Sequence, residues 1–133
     1  MLYRLPEFQD LRGSLVVGEV VGQVPFEPKR FFVVHDVPSR QVRGEHAHHT
    51  LHQFLVCLKG QCAVLVDDGR TRRELTLDSP AAGLHVPPLV WATEYKFSPD
   101  AILLVLASDH YDPAGYIRNY EEFQRLVLVS PSQ

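Results

Sequence analysis

Four of the seven histidines fall between positions 46 and 52, in the segment Arg43-Gly44-Glu45-His46-Ala47-His48-His49-Thr50-Leu51-His52-Gln53. Imidazole titrates near neutrality, so one side chain can take a proton and return it within a single cycle. In an extended strand alternate residues share a face, which points His46 and His48 the same way, about 6.6 Å apart along the strand. His49 would point to the other face. His52 joins the pair only if the strand continues without a bulge. Two imidazoles at that spacing can bracket a pair of adjacent carbon atoms. They could also be half of a metal site, but Gln53 is a neutral amide and a poor ligand for a divalent ion. Gln53 is better suited to hydrogen-bonding one histidine and fixing its tautomer. Arg43 precedes the pair and keeps its charge, so it is a candidate for a phosphate group. Arg12 is a second candidate; its alternative is a surface ion pair worth about 0–1 kcal/mol.

The elements that must position these residues are short. The candidate strands are 14–20, 30–36, 51–58, 61–66, 72–77, 83–86, 90–97 and 101–107, rich in β-branched and aromatic residues. Asp67-Asp68-Gly69-Arg70 and Lys59-Gly60-Gln61 read as turns, and Pro80 and Pro87-Pro88 punctuate the following run. Strands at this spacing predict an all-β sandwich or barrel. One helix is expected near the C-terminus, with Asp112 as N-cap and Pro113 as its first residue. Tyr116, Tyr120, Phe123 and Leu126 then recur at helical spacing. Residues 128–133 read as a tail. Trp91 on its strand either lines the pocket or fills the core. His35 and His85 are isolated, as structural histidines usually are, yet both can turn into a barrel and join the substrate contacts.

The chain of 133 residues holds one domain's worth of core. Hydrophobic residues are 45% and charged residues 22%, which excludes disorder. A net charge of −3 gives no footprint for nucleic acid, and no apolar run is long enough for a membrane span. The opening Met1-Leu2-Tyr3-Arg4-Leu5-Pro6-Glu7 does not read as a signal peptide, so the expected compartment is the cytoplasm. Cys57 and Cys62 flank a turn and are expected as two free thiols rather than a cross-hairpin bridge.

His46-x-His48, four residues, Gln53, six residues, Gly60 resembles the first cupin motif, in which a Glu stands at the Gln53 position. Pro87-Pro88-Leu89, two residues, Ala92 resembles the second, in which Gly and His stand at Leu89 and Ala92. Two of the four usual metal ligands are thus replaced, which leaves the histidines for acid–base work. A longer set of words follows in order. It runs through Arg12-Gly13-Ser14-Leu15, Pro25-Phe26, Lys29-Arg30, Arg43-Gly44-x-His46-Ala47-His48 and Leu55-Val56-Cys57-Leu58-x-Gly60. It continues through Asp67-Asp68-Gly69, Leu77-Asp78-Ser79-Pro80, Val90-Trp91, Val105-Leu106-Ala107-Ser108, Tyr111-Asp112 and Tyr116-Ile117-Arg118. Together they resemble the sugar 3,4-ketoisomerases that act on dTDP-4-keto-6-deoxyglucose, over residues 8–123.

The resemblance implies a cupin jelly roll of two antiparallel sheets with a short C-terminal helix. It implies a cytoplasmic isomerase without metal or other cofactor, acting on a dTDP-linked 4-keto-6-deoxy sugar in deoxyamino-sugar biosynthesis. It also implies a homodimer in which residues 1–20 are exchanged between subunits. By the same resemblance His48 is the base at C3 and His46 the shuttle between oxygens. Arg43, Arg12, Gln53, His35, His85 and Trp91 are the substrate-binding candidates. His35, Val33, His49 and Ala92 depart from the family pattern. Two rivals remain: a metal-dependent, dioxygenase-like cupin using His46, His48 and His85, and a nucleotide-sugar binding cupin without catalysis.

Overall fold

A computed structural model describes residues 1–38 and 40–129. The strands are β1 Leu2–Arg4, β2 Glu7–Asp10, β3 Gly13–Val16, β4 Arg30–His35, β5 Arg43–His48 and β6 Gln53–Lys59. They continue with β7 Cys62–Asp67, β8 Arg72–Leu77, β9 Ala82–Val86, β10 Trp91–Tyr95, β11 Ile102–Ala107 and β12 Tyr116–Ile117; one helix, α1 Tyr120–Val129, follows. Two five-stranded antiparallel sheets face each other, in the orders β1-β9-β6-β11-β4 and β12-β5-β10-β7-β8. This is the all-β architecture that the strand spacing predicts and the jelly roll that the family resemblance implies.

The core follows from alternation along the strands. Leu55 and Cys57 of β6, Val64 of β7, Leu75 and Leu77 of β8, and Leu103 and Val105 of β11 meet between the sheets. Burying each aliphatic side chain contributes roughly 1.5–3 kcal/mol. β6 is buried on its second face too, because Phe54 and Val56 pack outside the barrel with Leu5, Val24 and Phe26. Its sequence is accordingly an unbroken apolar run rather than an alternating one. The outer face of the other sheet is covered by α1. Ala47 of β5 and Ile117 of β12 are buried there with Phe123 and Val127.

The turn after β7 is built by its own carboxylates. Asp67 Oδ1 accepts from the Gly69 amide at 2.7 Å, and Asp68 Oδ1 accepts from the Arg70 and Thr71 amides, each at 2.8 Å. Asp67 is buried and also receives Arg72 Nε at 3.1 Å and the Tyr120 hydroxyl, which ties α1 to this turn.

Several expectations are corrected. Asp112 and Pro113 do not start the helix. The Asp112 carboxylate caps a single 3-10 turn, Pro113–Gly115, and the chain then extends into β12. α1 begins after Asn119, whose side chain accepts from the Glu122 amide at 2.9 Å. Tyr116 is therefore a strand residue. The helix runs to Val129, so positions 128 and 129 are not tail, and 130–133 lie outside the described residues. The strand expected over 14–20 is the shorter β3, which pairs with β2 in a hairpin, while β1 lies at the edge of its sheet. Lys59-Gly60-Gln61 turns from one sheet to the other rather than closing a hairpin. Cys57 and Cys62, on either side of it, are free and buried as expected.

Candidate active site

β5 carries the histidines and is bent just before them. Ala92 of β10 pairs with His46 and Thr93 with Gly44, so Glu45 is an extra residue without a partner. Gly44 and Glu45 both have positive φ, 84° and 59°. Gly44 tolerates this because it lacks a Cβ, and a Cβ there would also run into the Glu94 carboxylate and the Ala92 carbonyl. Beyond the bulge Ala47 points outward under α1, so His46 and His48 point into the barrel. Their rings lie 4.8 Å apart and nearly perpendicular, at 85°. Tyr116 stands opposite His48 in the register of β12 and closes the group, its ring 4.8 Å from His46 and 4.5 Å from His48. The Arg118 guanidinium lies over the other part of that arrangement, 4.4 Å from the Tyr116 ring centre.

Both imidazoles are held neutral. His46 Nδ1 lies 3.0 Å from the Gly44 carbonyl oxygen. A carbonyl can only accept, so Nδ1 carries the proton and Nε2 of the neutral ring offers its lone pair. Burial holds His46 below the usual histidine range, against the pull of that hydrogen bond, and Arg118 adds to the lowering. Burial pushes His48 down to about 3, and His46, Arg30, Arg118 and His49 reinforce the shift. Two buried polar atoms lack a partner among the described residues: His48 Nε2 and one terminal nitrogen of Arg30. Arg30 enters from β4, anchored through Nε to the Asp109 carbonyl at 3.1 Å and flanked by the Phe32 and Tyr111 rings. Orphaned polar groups in a protein interior are costly, and a ligand that pairs with them removes that cost.

The sequence candidates separate into two groups. His46, His48 and Gln53 share the barrel interior, and Arg43 stands on β5 before the bulge, opposite Glu94. Gln53 makes no hydrogen bond to either histidine among the described residues. His85 does not enter the barrel. It pairs with Phe54 in register and sits on the outer face of its sheet, where its Nε2 is 2.9 Å from His52 Nδ1. His35 is exposed and bonded to the neighbouring Asp36 carboxylate at 2.6 Å, because Val34 takes the inward position on β4. Trp91 packs outward against Tyr120 and Phe123 of α1, with ring centres 5.2 and 5.6 Å away. The Arg12 side chain is 90% exposed and bonded to Asp10 at 2.6 Å, on the hairpin that leaves the barrel.

The sequence matches the FdtA, WxcM-like C-terminal family over residues 1–128. The chain belongs to this family. It is 48% identical over 118 residues to the TDP-4-oxo-6-deoxy-α-D-glucose 3,4-oxoisomerase of Aneurinibacillus thermoaerophilus, covering 89% of this chain and 85% of the relative. Its fold superposes on a 3,4-ketoisomerase from Helicobacter canadensis with a TM-score of 0.92, at 38% identity and with 96% of each chain covered. It is similar again to the WlaRB TDP-quinovose 3,4-ketoisomerase of Campylobacter jejuni, with a TM-score of 0.90 and 42% identity over 94% of this chain and 96% of that one.

For a member of a cupin-type family the donor set decides whether a metal fits. Here it does not. Ala92 offers no donor beside His46, Gln53 offers an amide, and His85 is on the far side of its sheet. Among the described residues no three His, Cys, Asp or Glu side chains are grouped to hold an ion. Four polar groups of this FdtA-like site, Tyr116, Arg30, Arg118 and Glu94, are not among the candidates that the sequence singles out. Tyr116 was absorbed into a helical period, Arg30 and Arg118 stood only as parts of motif words, and Glu94 was not singled out at all. The parity of strand β10 already places Glu94 on the face of Ala92.

Proposed function

We propose that this chain is a 3,4-ketoisomerase of TDP-4-keto-6-deoxyglucose that works by histidine acid–base catalysis. The observation that carries the reading is the inward pair of neutral histidines, one of them with an unpartnered buried Nε2, in a chain of the FdtA-like family. Moving a ketone from C4 to C3 begins with loss of the C3 proton, which the adjacent carbonyl acidifies. His48 takes that proton while the C4 oxygen gains one, and a cis-enediol forms. The C3 hydroxyl then loses its proton as the new ketone forms, and C4 receives a proton. His46, whose Nδ1 is committed to Gly44, has Nε2 free to pass protons between the two oxygens. Such catalysis contributes on the order of 10²–10⁴-fold.

Arg43 serves the diphosphate by charge-assisted hydrogen bonds, and no metal takes part. The protein works as a homodimer. Phe8, Leu11 and Leu15 of the β2–β3 hairpin are exposed apolar side chains that a partner subunit would cover. A charged nucleotide sugar does not cross bilayers, and no described helix is long and apolar enough to span one; both agree with action in the cytoplasm. The test is NMR of TDP-4-keto-6-deoxyglucose incubated with the protein in D₂O. A 3-keto product with solvent deuterium incorporated at carbon is expected. An unchanged sugar with its C3 proton retained would reject the assignment.

A further inference from the structure

Glu94 lies two residues beyond Ala92 on β10 and on the same face. Across β7 it opposes Val64, which is fully buried between the sheets, and across β5 it opposes Arg43. Its carboxyl thus enters the barrel on the wall that carries His46 and His48. It rests against Gly44, whose carbonyl anchors the His46 ring. No donor among the described residues hydrogen-bonds this carboxyl. The charged and titratable groups that face it are Arg43 and His46 on β5 and the Cys62 thiol on β7. Burial pushes the carboxyl up to about 7, against the pull of the Arg43 guanidinium.

Among the described residues the one favourable partner of this carboxyl is the Arg43 guanidinium, and burial outweighs it. An apolar side chain of similar length would fill the same space without the desolvation cost of a charge. What a carboxylate offers there is an acceptor, next to two neutral imidazoles, for a ligand rich in hydroxyl donors. We propose that Glu94 is a substrate-binding residue whose carboxylate accepts a hydrogen bond from a ring hydroxyl of the hexose held against His46 and His48. This rests on the ketoisomerase reading for the identity of the hexose. Arg43, beside it on the neighbouring strand, then faces the diphosphate, so the two side chains divide the sugar from the nucleotide.

The test compares full-length wild type with Glu94→Gln and Glu94→Met. Calorimetry with TDP alone should give the same affinity for all three. With TDP-6-deoxyglucose, which has no ketone and cannot react, Glu94→Met should bind about 10–100-fold more weakly, the range for a hydrogen bond to a charged group. Glu94→Gln, which keeps one acceptor, should fall between. In steady state kcat/KM of the wild type should rise with pH through about 7 as the carboxyl ionises, since His48 is neutral far below that. That limb should vanish in Glu94→Gln. Thermal melts check folding, and at pH 8 neither variant should melt below the wild type, because each removes a buried charge. Unchanged hexose affinity and an unchanged pH limb would overturn the proposal. A parallel loss of TDP affinity would overturn it too, by showing that the carboxyl only shapes the barrel. Absence of wild-type turnover would count against the ketoisomerase reading alone, since the calorimetric comparison still reads Glu94.

Discussion

The protein holds two pairs of histidines in two different environments. On the outer face of one sheet, His52 and His85 stack at 13° with ring centres 5.2 Å apart, and a hydrogen bond of 2.9 Å joins Nδ1 of one to Nε2 of the other. Phe26 covers both rings and Tyr3 meets the edge of His85. Inside the barrel, His46 and His48 are perpendicular and share no hydrogen bond; one nitrogen of His46 is committed to a backbone carbonyl, and His48 Nε2 is committed to nothing. Burial depresses His48 to about 3 and His85 to about 4, so a shifted proton affinity does not tell the pairs apart. The disposition of the nitrogens does. A pair that satisfies itself is part of the packing, and a pair with nitrogens left over is open to a ligand.

The largest expected effect tests the inner pair. His48→Asn keeps the size of the side chain but supplies no base near pH 7. Turnover and exchange of the C3 proton with D₂O should both fall on the order of 10²–10⁴-fold. His46→Asn should impair turnover yet leave slow exchange at C3, because the enediol still forms but partitions poorly to product. The reverse pattern would swap the roles, and near-normal turnover in both folded variants would remove the pair from the mechanism.

A smaller effect sharpens the electrostatics. The Arg30 cation helps to hold His48 in its neutral form. In Arg30→Gln the His48 ring should titrate at higher pH than in the wild type, as followed by NMR of the labelled imidazole. A titration that does not move would remove Arg30 from the causes that depress His48.

Breaking the outer pair should flatten the acid dependence of stability and leave turnover alone. Folded His85 resists protonation down to about 4, whereas in the unfolded chain it titrates near 6.5. Its neutral form therefore contributes stability above pH 6.5, and that contribution is lost as the pH falls from 6.5 toward 4. His85→Phe removes this part, so its melting temperature should drop less between pH 7 and pH 5 than that of the wild type. The loss due to His48 remains in both proteins. A kcat reduced more than a few-fold in His85→Phe would erase the distinction between the pairs. The smallest effect belongs to His35→Ala. An exposed side chain bonded only to its neighbour Asp36 should shift neither kcat nor stability by more than about 0.5 kcal/mol, measured by denaturant titration.

Much of this was legible in the sequence where periodicity and chemistry agreed. β8 spans the stretch read for it, and the inward direction of His46 and His48 follows from strand parity. β5 was missing from the strands read by composition, because Arg-Gly-Glu-His-Ala-His has no β-branched residue and its first half is bent by a bulge. β1 and β2 are three and four residues long and largely exposed, too short to show an alternation. The C-terminal helix was recognised, but Asp112-Pro113 is equally good chemistry for a one-turn 3-10 helix, and nothing local distinguishes the two. Which face His85 takes follows from the same strand parity, since it stands between Leu84 and Val86, which both face the core.

The pairing of β12 with β5 has a consequence for the order in which the protein can become functional on the ribosome. The strand that carries the histidines is made early, and every other strand of the two five-stranded sheets except β12 is complete by residue 107. Tyr116 and Arg118, which cover and polarise the histidines, and Phe123, which seals Ala47 and Trp91 from water, are translated afterwards. A nascent chain with 110 residues exposed can already form most of both sheets, yet it presents an open apolar strip and an unfinished pocket. Domains fold largely as synthesis proceeds from the N-terminus. Completion of the jelly roll and of its chemistry therefore waits for the residues from Tyr116 onward, and a chain that stops short of them leaves the pocket open and the apolar strip under α1 uncovered.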